Sequence, residues 1–179
     1  MHNPEDYIFF WKPNETFGWA SQWYPCQITT SVTLEDKAEE VVLPSAEHYM
    51  MLQKALLFGD TAIARQILEV TGAGQTEMAH IKQLGRKVQG FDEAKWIHER
   101  ERIVLEGNIL KFQQNKDLRQ KLLSTDGRIL VEASPRDRIW GVGYGAKNAL
   151  SRKDEWGLNL LGKALEKARQ YLVRTPNAM

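Results

Sequence analysis

The sequence predicts a mostly helical α+β fold with a small sheet, arranged as a single domain. Apolar residues recur at spacings of three and four over several long segments, which is the pattern of amphipathic helices. Short segments rich in valine, isoleucine, threonine and aromatic residues, near the start of the chain and again at 128–134, predict strands. The strands do not alternate with the helices along the chain, so the order excludes a doubly wound α/β fold.

The beginning of the chain is predicted to be mainly extended. "YIFFW" (7–11) predicts a strand that Pro13 and Asn14 close. "FGWASQWYPCQITTSV" (17–32) then predicts a loop that leads into a second extended segment, rich in threonine. The acidic "LEDKAEE" (34–40) is expected to form an exposed turn before the first long helix.

The rest of the chain is mostly helical, with recognisable start and stop signals. Ser45 is the predicted N-cap of a helix that lasts to about Phe58. Gly59 then stops this helix, and Asp60 caps the next one. The later elements are expected in this order: a helix at 60–70; a short helix within 71–88, after a break at the glycines and with its end at Gly85; helices at 91–115, with Asp92 as cap, and at 116–125; a strand at 128–134; a strand fragment and glycine loop at 137–149; and a closing amphipathic helix at 155–173.

Composition and charge exclude several functional classes. With a formal net charge of +1 the chain has no overall basic field, so long duplex nucleic acid is not an obvious partner. A local basic patch that binds one or two phosphates stays open. No apolar run approaches the roughly 20 residues of a membrane span, and no signal peptide follows Met1. The single cysteine, Cys26, excludes an internal disulfide and fits a reducing, cytoplasmic location.

The first candidate site lies on the predicted helix that begins after Ser45. Glu47 and Lys54 are seven residues apart, which on an α-helix is about 10 Å of rise and only about 20° of rotation. They therefore share one face, from which a carboxylate and an amine could converge on a ligand. The alternative is a pair of solvated charges, and the apolar neighbours Met50 and Met51 do not decide between the two.

The second candidate site is the segment "EASPRDRIWGVGYGAKNA" (132–149). Asp137 and Trp140 are followed there by glycines at alternate positions. Gly141 and Gly143 would let backbone amides approach a phosphate or a sugar closely. The alternative for this segment is a tight hairpin without a ligand.

Other residues give weaker indications. Arg86 and Lys87 are predicted just past a helix end, where they could hold a phosphate or only favour the helix dipole. Tryptophans near the N-terminus, such as Trp19, could fill the core or contact a ligand from a turn. No spacing of histidine, cysteine and carboxylate residues suggests a metal, and no GxxxxGK or GxSxG segment is present. Neither a metal nor a cofactor is therefore predicted.

Together these segments resemble the NADAR family, also called YbiA-like. The matching segments occur in the family's order: "SAEHYMMLQK" (45–54), "LGRKV" (84–88), the helix of Trp96, "LKFQQN" (110–115), "LLSTDGRILVEASPRDRIWGVG" (122–143) and "EWGLNLLGKAL" (155–165). The resemblance extends from about residue 8 to residue 172 and implies one NADAR-like domain over 1–179. The N-terminal "GWASQW" differs from the Gly-x-Phe-Ser-Asn-Phe-like segment of bacterial members and is closer to eukaryotic members.

The resemblance implies a mostly helical α+β enzyme that cleaves N-glycosidic bonds, with Glu47 and Lys54 at the family's catalytic positions. It also implies contacts to ribose, base or phosphate from the following residues: Trp19, Ser21, Arg86, Asp137, Trp140, Gly141 and Gly143. The substrate that we expect is ADP-ribose attached to the exocyclic amine of guanine, in nucleic acid or a nucleotide, with ADP-ribose as product. The alternative substrate of the family is a ribosylamino-pyrimidine phosphate of early riboflavin synthesis.

The expected chemistry uses Lys54 as a nucleophile. A ribose whose C1 carries an exocyclic amine can open its ring, and a neutral lysine can then attack C1 to give a Schiff base. Because a free lysine has a pKa of about 10.4, burial is expected to lower it, while Glu47 moves the protons. Alternatively, Glu47 activates water for direct displacement and Lys54 only stabilises charge. A non-enzymatic ADP-ribose or NAD reader is the third interpretation, although a reader needs neither residue.

Overall fold

The structure is a computed structural model that describes residues 2–176. Its α-helices and strands follow the chain in this order: β1 (Tyr7–Phe10), β2 (Ile28–Leu34), β3 (Lys37–Leu43), α1 (Ala46–Leu57), α2 (Thr61–Glu69), α3 (Gln75–Arg86), α4 (Glu93–Gln114), α5 (Lys116–Leu123), β4 (Ile129–Glu132), α6 (Ala146–Ala149) and α7 (Leu160–Arg174). Short 3-10 helices lie at Pro4–Asp6, Gly18–Ala20 and Leu150–Glu155. The predicted mostly helical α+β fold is confirmed.

The chain divides into two compact units. One unit contains the residues up to Ser21 and those from Lys116 onward, and the other contains Gln22–Asn115. Strands β1 and β4 pair in parallel in the first unit, and β2 and β3 pair antiparallel in the second. The single domain over 1–179 stays a prediction, and residues 1 and 177–179 of it lie outside the described residues.

In the unit Gln22–Asn115, β2 and β3 form a hairpin with a two-residue connection. Glu35 and Asp36 both have positive φ, 49° and 63°, as a tight hairpin turn requires. The exposed turn predicted over 34–40 is therefore confirmed at Glu35 and Asp36 but wrong in its extent, because β3 begins already at Lys37. The charged start of β3 resembles a loop, but Val41 and Leu43 further along the strand are buried.

The other three helices of the same unit, α2, α3 and α4, each contact α1. The predicted caps are confirmed: Ser45 accepts from the amide of His48, Asp60 from Ile63 and Asp92 from Lys95. Two glycines allow the close approach to α1. A Cβ at Gly85 of α3 would lie 2.0 Å from Met51 Sδ, and one at Gly107 of α4 would lie 2.6 Å from Tyr49 Cδ1.

The other unit is organised around the parallel pair β1–β4. A buried apolar cluster lies beside these strands: Tyr7, Val131, Val142 and Ala149, with Phe9, Tyr144, Leu150 and Trp156 packed against it. Helix α7 lies directly on β4, since a Cβ at Gly162 would come within 2.0 Å of the carbonyl oxygen of Leu130.

Two predictions in this unit are wrong. The closing helix begins at Leu160 and not at residue 155, because Asn159 has a left-handed backbone (φ 51°). Its side chain instead accepts from the amide of Glu132 and donates to the carbonyl of Leu130, so it bonds to β4. The strand fragment expected within 137–149 is also absent from the described residues there, which form an irregular loop followed by α6.

Candidate active site

Glu47 is held in the first turn of α1 by contacts within the unit Gln22–Asn115. Its amide donates to the carbonyl of Gln22 at 3.0 Å. The side-chain oxygen of Gln22 in turn accepts from Nδ2 of Asn108, on α4, at 2.9 Å. The Glu47 residue is only 8% exposed. A carboxylate in the first turn of a helix is favoured by the helix dipole, so this position suits a buried, fixed acid.

Lys54 lies two turns further along α1 and is half-buried among aromatic rings. Its Nζ is 4.8 Å from the ring centroid of Phe91 and 5.4 Å from that of Trp96. Burial lowers the pKa of Lys54 below its ordinary value, the Glu47 carboxylate raises it, and the Arg86 guanidinium lowers it. The net shift is downward, which favours the neutral amine that a nucleophile requires.

Arg86 is brought to this site by the close packing of α3 on α1. Gly85 permits that packing, and Arg86 follows it as the last residue of α3. The predicted position just past the helix end is therefore wrong by one residue, and Lys87 is the C-cap. Arg86 is exposed but near enough to influence the pKa of Lys54. The structure thus brings Glu47, Lys54 and Arg86 together.

Phe91 and Trp96 were not predicted as parts of the site. Trp96, on α4, is buried. Phe91 precedes the N-cap of α4 and is 47% exposed. Their proximity to Lys54 depends on how the α3–α4 connection folds back on α1. A lone phenylalanine after Gly90, in a polar loop, is the one sequence signal that could have indicated it.

The six remaining predicted site residues lie in the other unit. Trp19 and Ser21 are both buried, each 6% exposed, at the 3-10 helix Gly18–Ala20. Tight packing surrounds that turn, because a Cβ at Gly18 would meet the carbonyl oxygen of Pro13 at 2.1 Å. Contacts of Trp19 and Ser21 with a ligand stay predictions.

The loop after β4 has local reasons for its unusual residues. Oδ1 of Asp137 accepts from the amides of Ile139 and Trp140 at 2.9 and 2.8 Å, which shapes a turn. Gly141 has no room for a side chain, since its Cβ would lie 2.7 Å from the carbonyl oxygen of Glu132, and Gly143 has a φ of +80°. The predicted ligand contacts of Asp137, Trp140, Gly141 and Gly143 stay predictions beside these structural roles.

The described residues also bear on metal binding, on the charge of His48 and on membrane insertion. Within residues 2–176, no three histidine, cysteine, aspartate or glutamate residues are grouped to hold a metal ion. Burial lowers the pKa of His48 to about 4, so this histidine is neutral near pH 7. As far as the described helices go, none is both long and apolar enough to cross a membrane.

Comparisons with known proteins give a family model, relatives and a solved structure that resemble this chain. The family model described as "NADAR domain" matches residues 9–173. "N-glycosidase R617" of Acanthamoeba polyphaga mimivirus is 42% identical over 171 residues, which are 93% of this chain and 96% of that protein. "Riboflavin biosynthesis protein VVA0006" of Vibrio vulnificus is 32% identical over 94% of this chain but only 39% of its own length. The NMR structure of E. coli YbiA superimposes with a TM-score of 0.68 at 23% identity, covering 97% of this chain and 89% of that one.

Proposed function

The chain belongs to the NADAR family, and from that premise we propose that it hydrolyses the N-glycosidic bond between C1 of a ribose and an exocyclic amine. The substrate that we propose is guanine ADP-ribosylated on its exocyclic amine, in nucleic acid or a nucleotide, and the products are ADP-ribose and guanine. The observation that carries the proposal is the Lys54 amine, whose pKa is lowered and which lies within electrostatic reach of Glu47 and Arg86. A relative named an N-glycosidase at 42% identity supports the type of bond.

The proposed reaction begins with opening of the ribose ring. The lone pair of the exocyclic nitrogen expels the ring oxygen, Glu47 gives that oxygen a proton, and C1 becomes an imine carbon. Neutral Lys54 then attacks C1 and loses a proton to the Glu47 carboxylate. Glu47 passes this proton to the nucleobase amine, which leaves, so a Schiff base links Lys54 to C1. Water adds to C1, the Lys54 amine departs, and the sugar aldehyde recloses. One water is consumed, and both side chains are regenerated.

The surroundings of Lys54 support this order of events. Burial of Lys54 penalises the charged form of its amine, and the net shift of its pKa is downward. Arg86 adds a like charge nearby, and because its guanidinium is exposed it could also hold a phosphate of the substrate. Direct displacement by a water that Glu47 activates is the alternative reaction in the same site.

Borohydride trapping separates these two reactions. With ADP-ribosylated guanosine as substrate, we expect a substrate-dependent mass adduct on Lys54. Lys54→Ala and Lys54→Arg should each slow turnover by about 10²–10⁴-fold, because neither side chain supplies a neutral amine. Lys82→Ala, at an exposed lysine of α3, is the control and should retain the wild-type rate.

The outcomes are distinct. An inactive Lys54→Ala without any adduct in the wild type would favour direct displacement, whereas a Lys54→Ala variant with more than about a tenth of the wild-type rate would exclude both roles of Lys54. Glu47→Gln should bind ADP-ribose nearly as well as wild type but turn over at least about 10²-fold more slowly.

A second substrate class is favoured by the similarity to a riboflavin biosynthesis protein. Ribosylamino-pyrimidine phosphates present the same bond between C1 and an exocyclic amine. Turnover of both substrates, measured side by side with the same enzyme preparation, decides between them. Binding of ADP-ribosylated guanosine without release of ADP-ribose would instead identify a reader.

A further inference from the structure

Phe91 exposes an aromatic ring beside the candidate nucleophile. The residue is 47% exposed, while Lys54 Nζ lies only 4.8 Å from its ring centroid. Its ring is tilted against that of Phe58, with centroids 5.3 Å apart. Phe58 is itself approached by Lys95, whose Nζ is 5.7 Å from the Phe58 ring and donates to the carbonyl of Leu57. Of this aromatic pair, Phe91 therefore presents the larger surface to solvent.

The loop that carries Phe91 is held in place. Asp60, the N-cap of α2, accepts from the amide of Gln89 through Oδ2 at 2.8 Å and from that of Ile63 through Oδ1 at 3.0 Å. Gln89 also donates through its side chain to the carbonyl of Lys87. Gly90 turns the chain with a φ of +73°, which favours glycine. The exposed ring is thus placed by specific contacts in the connection between α3 and α4.

We propose that Phe91 is the surface on which the departing nucleobase stacks. This inference rests on the proposed function, because it assigns the base of that substrate a position. The exocyclic amine is at the edge of a base, so a base that lies on the Phe91 ring carries the bond to be cut toward Lys54 Nζ. Any nucleobase has a π-face, and stacking on an aromatic side chain is therefore suited to purines and pyrimidines alike.

The alternative role for Phe91 is to adjust the charge of Lys54. A cation over an aromatic ring is stabilised, so this contact favours the ammonium form and opposes the neutral amine. A ring that is 47% exposed also removes little water from the amine. Neither effect helps to produce the neutral amine that a nucleophile requires. An exposed aromatic ring 4.8 Å from the amine is instead suited to contact a planar ligand.

Steady-state kinetics of three variants test the proposal. Phe91→Ala and Phe91→Leu remove the aromatic ring, and Phe91→Leu keeps most of the apolar bulk; Phe91→Trp keeps a ring. With ADP-ribosylated guanosine we expect KM to rise by about 5- to 150-fold in the first two, as the loss of one base–aromatic stack implies, and to rise much less in Phe91→Trp. Loss of the cation–π contact removes a stabilisation of the ammonium form, so any shift of the pH profile should be to lower pH, and the rise in KM is the deciding result. Ile97→Ala, an apolar truncation on α4 at the same 47% exposure, is the control.

Direct binding of guanosine, followed by calorimetry on wild type and Phe91→Leu, does not depend on turnover. If Phe91→Leu binds guanosine more weakly but the wild type cleaves neither substrate, the stacking role of Phe91 is supported and the proposed reaction is contradicted. A Phe91→Leu variant with wild-type KM and wild-type guanosine binding would overturn the inference. A shifted pH profile with an unchanged KM would also overturn it, and would show that Phe91 acts by adjusting the charge of Lys54.

Discussion

At the residue scale, the surroundings of Lys54 shift its pKa in opposite directions. Burial and Arg86 both lower that pKa, and Glu47 raises it. If the neutral amine is the nucleophile, kcat/KM rises with pH until Lys54 is deprotonated and then reaches a plateau. The position of this rise therefore reports the balance among the three side chains.

Arg86→Met and Glu47→Gln should move the rise in opposite directions. Loss of the like charge in Arg86→Met raises the pKa of Lys54, so the rise shifts to higher pH. Loss of the carboxylate in Glu47→Gln lowers that pKa, so the residual activity of this slow variant rises at lower pH. The measurement is kcat/KM across a pH series, with Lys82→Met as the control. Shifts in the same direction for both variants would contradict the proposed site.

Part of this site was accessible from the sequence. The seven-residue spacing placed Glu47 and Lys54 on one face of a helix, and a helix that begins after Ser45 is what the structure shows. The effect of Arg86 on the pKa of Lys54 could not be predicted in the same way, because it depends on how closely α3 approaches Met51 of α1 at Gly85. Helical periodicity gives the face of each helix but not the distance between two helices.

At the element scale, the errors of prediction have a common cause in local bonding. Lys37–Leu43 is a strand despite its charged start, since a positive-φ pair, Glu35 and Asp36, turns the chain back along β2. The start of α7 is delayed because the Asn159 side chain bonds to the backbone of β4. In both cases hydrogen bonds to a partner strand override the composition of the segment, and composition alone does not reveal the partner.

Gly162 should be the least replaceable residue at the contact of α7 with β4. Alanine normally stabilises a helix relative to glycine by about 1 kcal/mol. Here the added Cβ would lie 2.0 Å from the backbone carbonyl oxygen of Leu130, which cannot rotate away. We expect Gly162→Ala to lower the free energy of unfolding by about 1–3 kcal/mol or more. Chemical denaturation measures this change.

Gly145→Ala is the matched control for that experiment. A Cβ at Gly145 meets nothing within 4 Å, and its backbone φ of −67° is ordinary for alanine. The cost at this helix N-cap should stay within about 1 kcal/mol. Equal stability of the Gly162→Ala variant and the wild type would mean that α7 can move away from β4 without loss.

At the scale of the whole molecule, stability depends on a buried lysine that the reaction does not use. Lys111, on α4, is fully buried, and its Nζ lies 5.7 Å from the Tyr24 ring and 5.1 Å from the Phe112 ring. Burial lowers the pKa of Lys111 to about 8, and Cys26 partly opposes this effect. In the unfolded chain the same amine titrates at about 10.4.

The free energy of unfolding should consequently rise with pH above about 8. Between the folded pKa of about 8 and the unfolded value, the unfolded chain binds more protons at Lys111, so each step to higher pH favours the folded state. Below pH 8 the cost of the depressed pKa is constant and fully present. The rise amounts to about 3 kcal/mol at most by pH 10.5.

Lys111→Met should abolish this part of the pH dependence, because methionine keeps a long apolar side chain and has no charge to titrate. Urea denaturation at pH 7, 8, 9 and 10 measures it, and Lys82→Met, at an exposed lysine, should keep the wild-type slope. An unchanged slope in Lys111→Met would show that Lys111 titrates alike in the folded and unfolded chain.

The two carboxylate oxygens of Asp60 couple the opening of two backbone segments. One holds the first turn of α2 and the other holds the connection that carries Phe91. A fluctuation that releases Asp60 frees both amides at once, so Ile63 and Gln89 should exchange their amide protons for deuterium through one shared opening. In Asp60→Ala both should lose protection together. An aspartate outside the helix of Lys54 would then govern how often the stacking surface is in place when a nucleobase arrives.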